Sequence, residues 1–124
     1  MANEQIVLIA DRNPRIRNFV ERELRKEGYR VNTVETVAHL MHWLTPGRLP
    51  DLLVLDPDLP SGGAENQVWP LLTRYANLPV VFHCLAEDIP MPIPPMVCTV
   101  IVEKSASSID LLKRQIKLLL NTTH

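Results

Sequence analysis

"LLVLDPDLP", residues 52 to 60, decides how this chain folds. Leu52 to Leu55 offer no polar residue to turn outward, which is the pattern of a short strand covered on both faces of a parallel sheet. The run stops at Asp56, and Pro57 and Pro60 then break regular structure. "VLIADRNP", residues 7 to 14, repeats the arrangement, with Asp11 ending the apolar run and the guanidinium of Arg12 following at once. Two acids therefore close two candidate central strands.

Outward from these runs the pattern alternates. "IVLIA" (6–10) reads as the first strand, Asn13 as a helix N-cap and Pro14 as the first helical residue, with Ile16, Phe19, Val20 and Leu24 at helical spacing until Gly28. "YRVNTV" (29–34) is the next strand, and Val37, Leu40, Met41 and Leu44 form a helical stripe stopped by Pro46 and Gly47. After 52–56, a turn-rich "PDLPSGG" precedes a weaker helix through Val68, Leu71, Leu72 and Tyr75, which Pro70 either kinks or starts. "PVVFHC" (79–84) and "CTVIV" (98–102) are the last two strands, and Ser107 caps a final helix with apolar positions Ile109, Leu112, Ile116 and Leu119. A fourth crossover helix is expected at "LAEDIPMPIPPMV", yet Pro90, Pro92, Pro94 and Pro95 predict an extended connection there. The fold class is α/β: a doubly wound, five-stranded parallel sheet in one domain over residues 1–124, with its site at the carboxyl ends of the strands.

Composition narrows the function. The 124 residues carry 13 Lys+Arg against 14 Asp+Glu, a net charge of -1, so no basic footprint points to nucleic acid or to an anionic membrane. The apolar runs are too short to span a bilayer, and no basic-then-apolar leader begins the chain. Two cysteines, Cys84 and Cys98, without a pairing motif fit a reducing compartment, so a cytoplasmic protein is expected.

Two carboxylates at neighbouring strand ends repel unless a cation lies between them. Arg12, Lys104 at the end of "VIVEK", and a divalent metal are the three candidates. The order of parts, an acid after the first strand, "DPDLP" after the third, a small polar residue after the fourth and Lys104 after the fifth, resembles the receiver domain of two-component response regulators over roughly residues 5 to 120. The resemblance implies a flavodoxin-like fold and a signalling role rather than an enzyme's. In it Asp56 would accept a phosphoryl group from a histidine kinase, Asp11 would help hold Mg²⁺, and Lys104 would pair with the phosphoryl oxygens. The chemistry suits the residue types, since a carboxylate accepts a phosphoryl group when positioned cations neutralise the incoming charge, and lysine is a compact point charge. A plain structural ion-pair cluster of Asp11, Asp56 and Lys104 is the competing reading.

Several residues depart from the family's pattern. Arg12 stands where a second acid normally ligates the metal, so Asp11 and Asp56 are balanced by Arg12 and Lys104 and the pocket is expected to be neutral without an ion. Magnesium binding should then be weak or absent, and Asp58 could supply the missing oxygen only by turning inward. Cys84 stands at the usual Ser/Thr position as a weaker donor, Ile101 at that of an aromatic, and Ser105 at that of a proline. Two mechanisms follow. One is an atypical working receiver phosphorylated at Asp56. The other is a phosphorylation-independent pseudo-receiver, an interaction module in which Arg12 and Lys104 lock Asp56 in a bidentate pair. The partner is a histidine kinase or another signalling protein, and a second copy could meet the final leucine of "LLL" (118–120). The proline-rich segment is a rigid connection or a partner-binding strip. Zinc at His39, His42, His83 and Cys84 is disfavoured for want of ligand spacing, and "DRNPR" lacks the glycines of a nucleotide-binding loop.

Overall fold

The computed structural model describes residues 4–63, 68–89 and 99–122. Five strands alternate with helices in the order β1 (Ile6–Ala10), α1 (Pro14–Lys26), β2 (Arg30–Val34), α2 (Val37–Trp43), β3 (Leu52–Leu55), α3 (Val68–Arg74), β4 (Val80–Cys84), β5 (Thr99–Glu103) and α4 (Ser108–Thr122). All pairings are parallel and the sheet order is β2-β1-β3-β4-β5. This is the flavodoxin-like winding, which reverses direction between β1 and β3 and opens a crevice at their carboxyl ends.

The period-two alternation of each strand divides the core into two layers. Leu8, Ala10, Leu53, Leu55 and Phe82 pack with Val37, Leu40 and Leu72 of α2 and α3, while Val7, Ile9, Val54 and Val81 pack with Val20, Leu24, Leu112 and Ile116 of α1 and α4. The unbroken apolar runs are thus buried on both faces, and their one polar product is His83, turned into the α1/α4 layer at 4% exposure.

Local chemistry sets the boundaries. The Asn13 side chain accepts from the Arg15 and Ile16 amides at the start of α1, and Pro14 sits where its missing donor costs nothing. Pro70 is the third residue of α3 as described, Val68–Arg74, early enough that its missing amide removes no hydrogen bond within that stretch. The final helix begins one residue after Ser107, and the hydroxyl that ties its first turn is that of Ser108, donating to the Ser105 carbonyl at 3.0 Å. The loop after β3 docks on α2: the Pro60 and Ser61 carbonyls accept the Val37 and Ala38 amides at 2.8 and 3.1 Å. Gly62 makes this approach possible, since its φ is +61° and a Cβ there would lie 2.6 Å from the Cβ of Thr36.

Two expectations change. The final leucine, Leu120, is buried against the α1/α4 layer, so it is not a surface for a second copy; Leu118, on the side of the helix opposite the packed stripe, is the exposed one. Phe19 of the first stripe is also largely exposed, with the Arg22 guanidinium over its ring at 5.8 Å. Beyond β4 a short 3-10 turn, Ala86–Asp88, is described, whereas the extended connection expected of residues 90–98 lies outside the described residues.

Candidate functional site at the carboxyl edge of the sheet

Register brings the site together. Ala10 pairs with Leu55, so Asp11 and Asp56 each stand one residue past the same rung, at the switch point between β1 and β3. Cys84 pairs with Glu103, and the next amide, that of Lys104, donates to the Cys84 carbonyl at 2.7 Å, which fixes where the lysine leaves β5.

Asp11 is 2% exposed and Asp56 1%. The Lys104 Nζ lies 3.0 Å from Asp11 Oδ2 and 3.7 Å from Asp56 Oδ2, bridging the two acids. The Asn13 amide donates to Asp11 Oδ1 at 2.8 Å, and the Asp58 amide to Asp56 Oδ1 at 3.0 Å. Burial pushes the Asp11 carboxyl above its ordinary value, with Asp56 adding to the rise and the Asn13 amide and Lys104 opposing it. The Arg17 guanidinium steadies the same turn from α1 by donating to the Asp11 carbonyl at 2.8 Å.

Arg12 is the other cation. Its backbone amide and its Nε each lie 3.4 Å from Asp56 Oδ2, its Nη1 bonds Asp58, and its Nη2 lies 3.3 Å from Asp88 Oδ2. Arg12 and Lys104 both reach Asp56, as expected, but they meet on its Oδ2 alone rather than as a bidentate pair, and the guanidinium divides itself among three carboxylates. Asp58 accordingly turns to Arg12 at the rim, with its side chain 58% exposed. Although partial burial opposes its charge, Asp56, Asp58 and Asp88 together raise the Arg12 pKa.

Asp88 is the residue that sequence reading missed. Its signal was present in the acidic pair "ED" at 87 and 88, separated by two residues from a strand that ends at the functional edge, and hidden by the prolines that follow. Its inclusion also corrects the charge balance. Asp11, Asp56, Asp58 and Asp88 face Arg12 and Lys104, so acids outnumber cations by two and the pocket is not neutral when all are ionised.

Cys84 ends β4 fully buried in the α2/α3 layer, where burial first and Asp56 second push its thiol up from the ordinary value. Ile101 of β5 is exposed. His83 Nε2 shares a 3.1 Å hydrogen bond with Ser108 Oγ, and burial, then Lys104, lower its pKa to about 4. Because the Ser108 hydroxyl donates to the Ser105 carbonyl, the His83 Nε2 carries the proton and donates to Ser108. His39 of α2 pairs with Glu35, which precedes that helix.

A magnesium ion requires several anionic or neutral oxygens around one point. Here Asp56 Oδ2 is met by Arg12 and Lys104, and both oxygens of Asp11 are engaged, so the donor set as placed does not fit a divalent ion. Among the described residues no group of three or more His, Cys, Asp or Glu is arranged to hold a metal.

No protein-family model matches the chain, and no curated protein matches it. Solved structures do. A response regulator receiver protein from Sinorhizobium medicae is 23% identical, with 98% of each chain covered and a TM-score of 0.73. The response regulator TrrA from Thermotoga maritima, solved in complex with Mg²⁺ and BeF, is 24% identical over 93% of this chain and 98% of that one, with a TM-score of 0.74. NtrX from Brucella abortus is 22% identical with a TM-score of 0.79; the match covers 98% of this chain and 28% of NtrX. With its winding, its acidic switch point and its lysine after β5, the chain has the fold of response regulator receiver domains.

Proposed function

We propose that this chain is a signal-transduction module of the receiver type that works without phosphotransfer: an interaction domain presenting one constant surface to a histidine kinase or another signalling protein. The observation that supports this is the crowding of a single oxygen, Asp56 Oδ2, by the Arg12 amide, the Arg12 Nε and Lys104. A carboxylate that accepts a phosphoryl group needs a lone pair free to face the donor and cations positioned for the incoming charge rather than for the ground state. In this pocket the cations already sit on the carboxylate. Cys84 contributes no hydroxyl to steady a phosphoryl oxygen, and the donor set disfavours Mg²⁺.

The alternative assigns Asp56 as the phosphoacceptor, with Lys104 on the phosphoryl oxygens and Arg12 carrying part of the metal's charge; its support is the 3.7 Å approach of Lys104 to Asp56. Incubation with a small acyl phosphate and Mg²⁺, followed by intact mass measurement, separates the two. Unchanged mass is expected; a phosphate-sized gain that disappears in Asp56→Asn would establish the working receiver instead.

A further inference from the structure

We infer that Arg12 is a latch that holds the turn after β4 against the acid site. The turn Ala86–Asp88 is closed by two hydrogen bonds only, the Asp88 amide to the Leu85 carbonyl at 3.0 Å and the longer Ile89 amide to the Ala86 carbonyl at 3.4 Å. A single turn of this kind has little stability of its own. Leu85 is exposed and gives it no apolar anchor, while Ile89 packs on the α2/α3 layer at its far end. Between them the Asp88 carboxylate reaches Arg12 Nη2 at 3.3 Å, across 76 residues of chain. Arg12 in turn contacts Asp56, which is buried at the end of β3, so the turn is tied to the carboxyl edge of the sheet.

This gives Arg12 a role beyond neutralising Asp56. It is a positioning residue that joins the loop after β1, the loop after β3 and the turn after β4 through one planar group, which a lysine's point charge could not do. The surface it fixes, with Leu85 and Glu87 exposed, lies at the mouth of the site, where a partner of the proposed module would dock. The inference rests on the pairing used under the proposed function, yet it does not require that Asp56 stay unmodified.

Amide hydrogen exchange at Asp88 and Ile89 tests it. Arg12→Gln and Asp88→Asn should each speed exchange at these two amides about threefold to fivefold, the range open to a partly exposed ion pair, and the double variant should exchange no faster than either single one. Asp58→Asn, which leaves the Asp88 contact in place, should not speed them. Exchange in β1 and β3 serves as the measure that the fold is intact. Wild-type exchange in Asp88→Asn, or effects that multiply in the double variant, would overturn the latch. A phosphate gain at Asp56 with the exchange coupling intact would sink the phosphorylation-independent reading alone.

Discussion

Lys104 and Arg12 approach the same oxygen of Asp56, one from inside the molecule and one from its rim. The side chain of Lys104 is 9% exposed and that of Arg12 37%. Similar charges at similar distances therefore do different things. Two acids as deeply buried as Asp11 and Asp56 depend on the interior cation, because an unpaired buried charge is among the costliest defects a fold can carry. The rim cation works in a medium that water and salt screen, so its energy is small and its value lies in geometry. The strongest way to break this contrast is Lys104→Met, which keeps the stem and removes the charge. It should cost about 3–5 kcal/mol in urea unfolding at neutral pH, the range for a buried pair deprived of one partner. Asp11→Asn combined with Lys104→Met should recover part of the loss; a cost below about 1 kcal/mol for Lys104→Met would mean that the interior and rim cations are equivalent.

His83 sharpens the same contrast on a smaller scale. Its pKa falls from 6.5 to about 4 in the folded protein, first by burial and then by Lys104, with Asp56 opposing. Between these values the unfolded chain binds the proton and the folded protein does not. The contribution is therefore fully present above about pH 6.5 and is lost as pH falls toward 4, amounting to about 3 kcal/mol over that window. His83→Gln, which retains a donor for Ser108 and does not titrate, should lose less stability than the wild type between pH 7 and pH 4 by about that amount. Lys104→Met should also raise the His83 pKa followed by NMR, whereas Arg12→Gln should leave it near 4. A shift of His83 by Arg12→Gln would contradict the division into interior and rim.

The interior half of this picture was legible in the sequence and the rim half was not. Strand runs such as Leu52–Leu55 announce their own burial, and because parallel strands start on one side, their terminal acids Asp11 and Asp56 had to share an edge with Lys104. Each acid is the first polar residue after a run buried on both faces, so the end of the run marks the end of the strand and puts the acid at the sheet's edge. The reach of Arg12 depends instead on where two loops bring Asp58 and Asp88, and loop conformation leaves no periodic trace. Arg12 and Lys104 both reach Asp56, yet the guanidinium is shared for this reason, since its other acids lie 46 and 76 residues away in sequence. Leu120 was misjudged without any such ambiguity. Within "LLL" the helical wheel was in fact sufficient: at about 100° per residue Leu120, four residues after Ile116, falls inside the stripe, and Leu118 falls on the opposite side.

Arg12→Gln is expected to have the smallest thermodynamic effect and the clearest salt dependence. Three carboxylates around one guanidinium do not add up to three bonds' worth of stability, since the group is partly exposed and its acids repel each other. Removing the charge should therefore cost less than about 1 kcal/mol in urea unfolding at low ionic strength. Raising the salt to 1 M, where the screening length falls to about 3 Å, should bring wild type and variant together. The penalty of Lys104→Met should survive the same salt almost unchanged, because ions do not enter the space between Asp11 and Asp56. If Arg12→Gln costs as much as Lys104→Met and salt does not diminish it, Arg12 belongs to the interior, and the turn after β4 is part of the core rather than a surface held by one exposed cation.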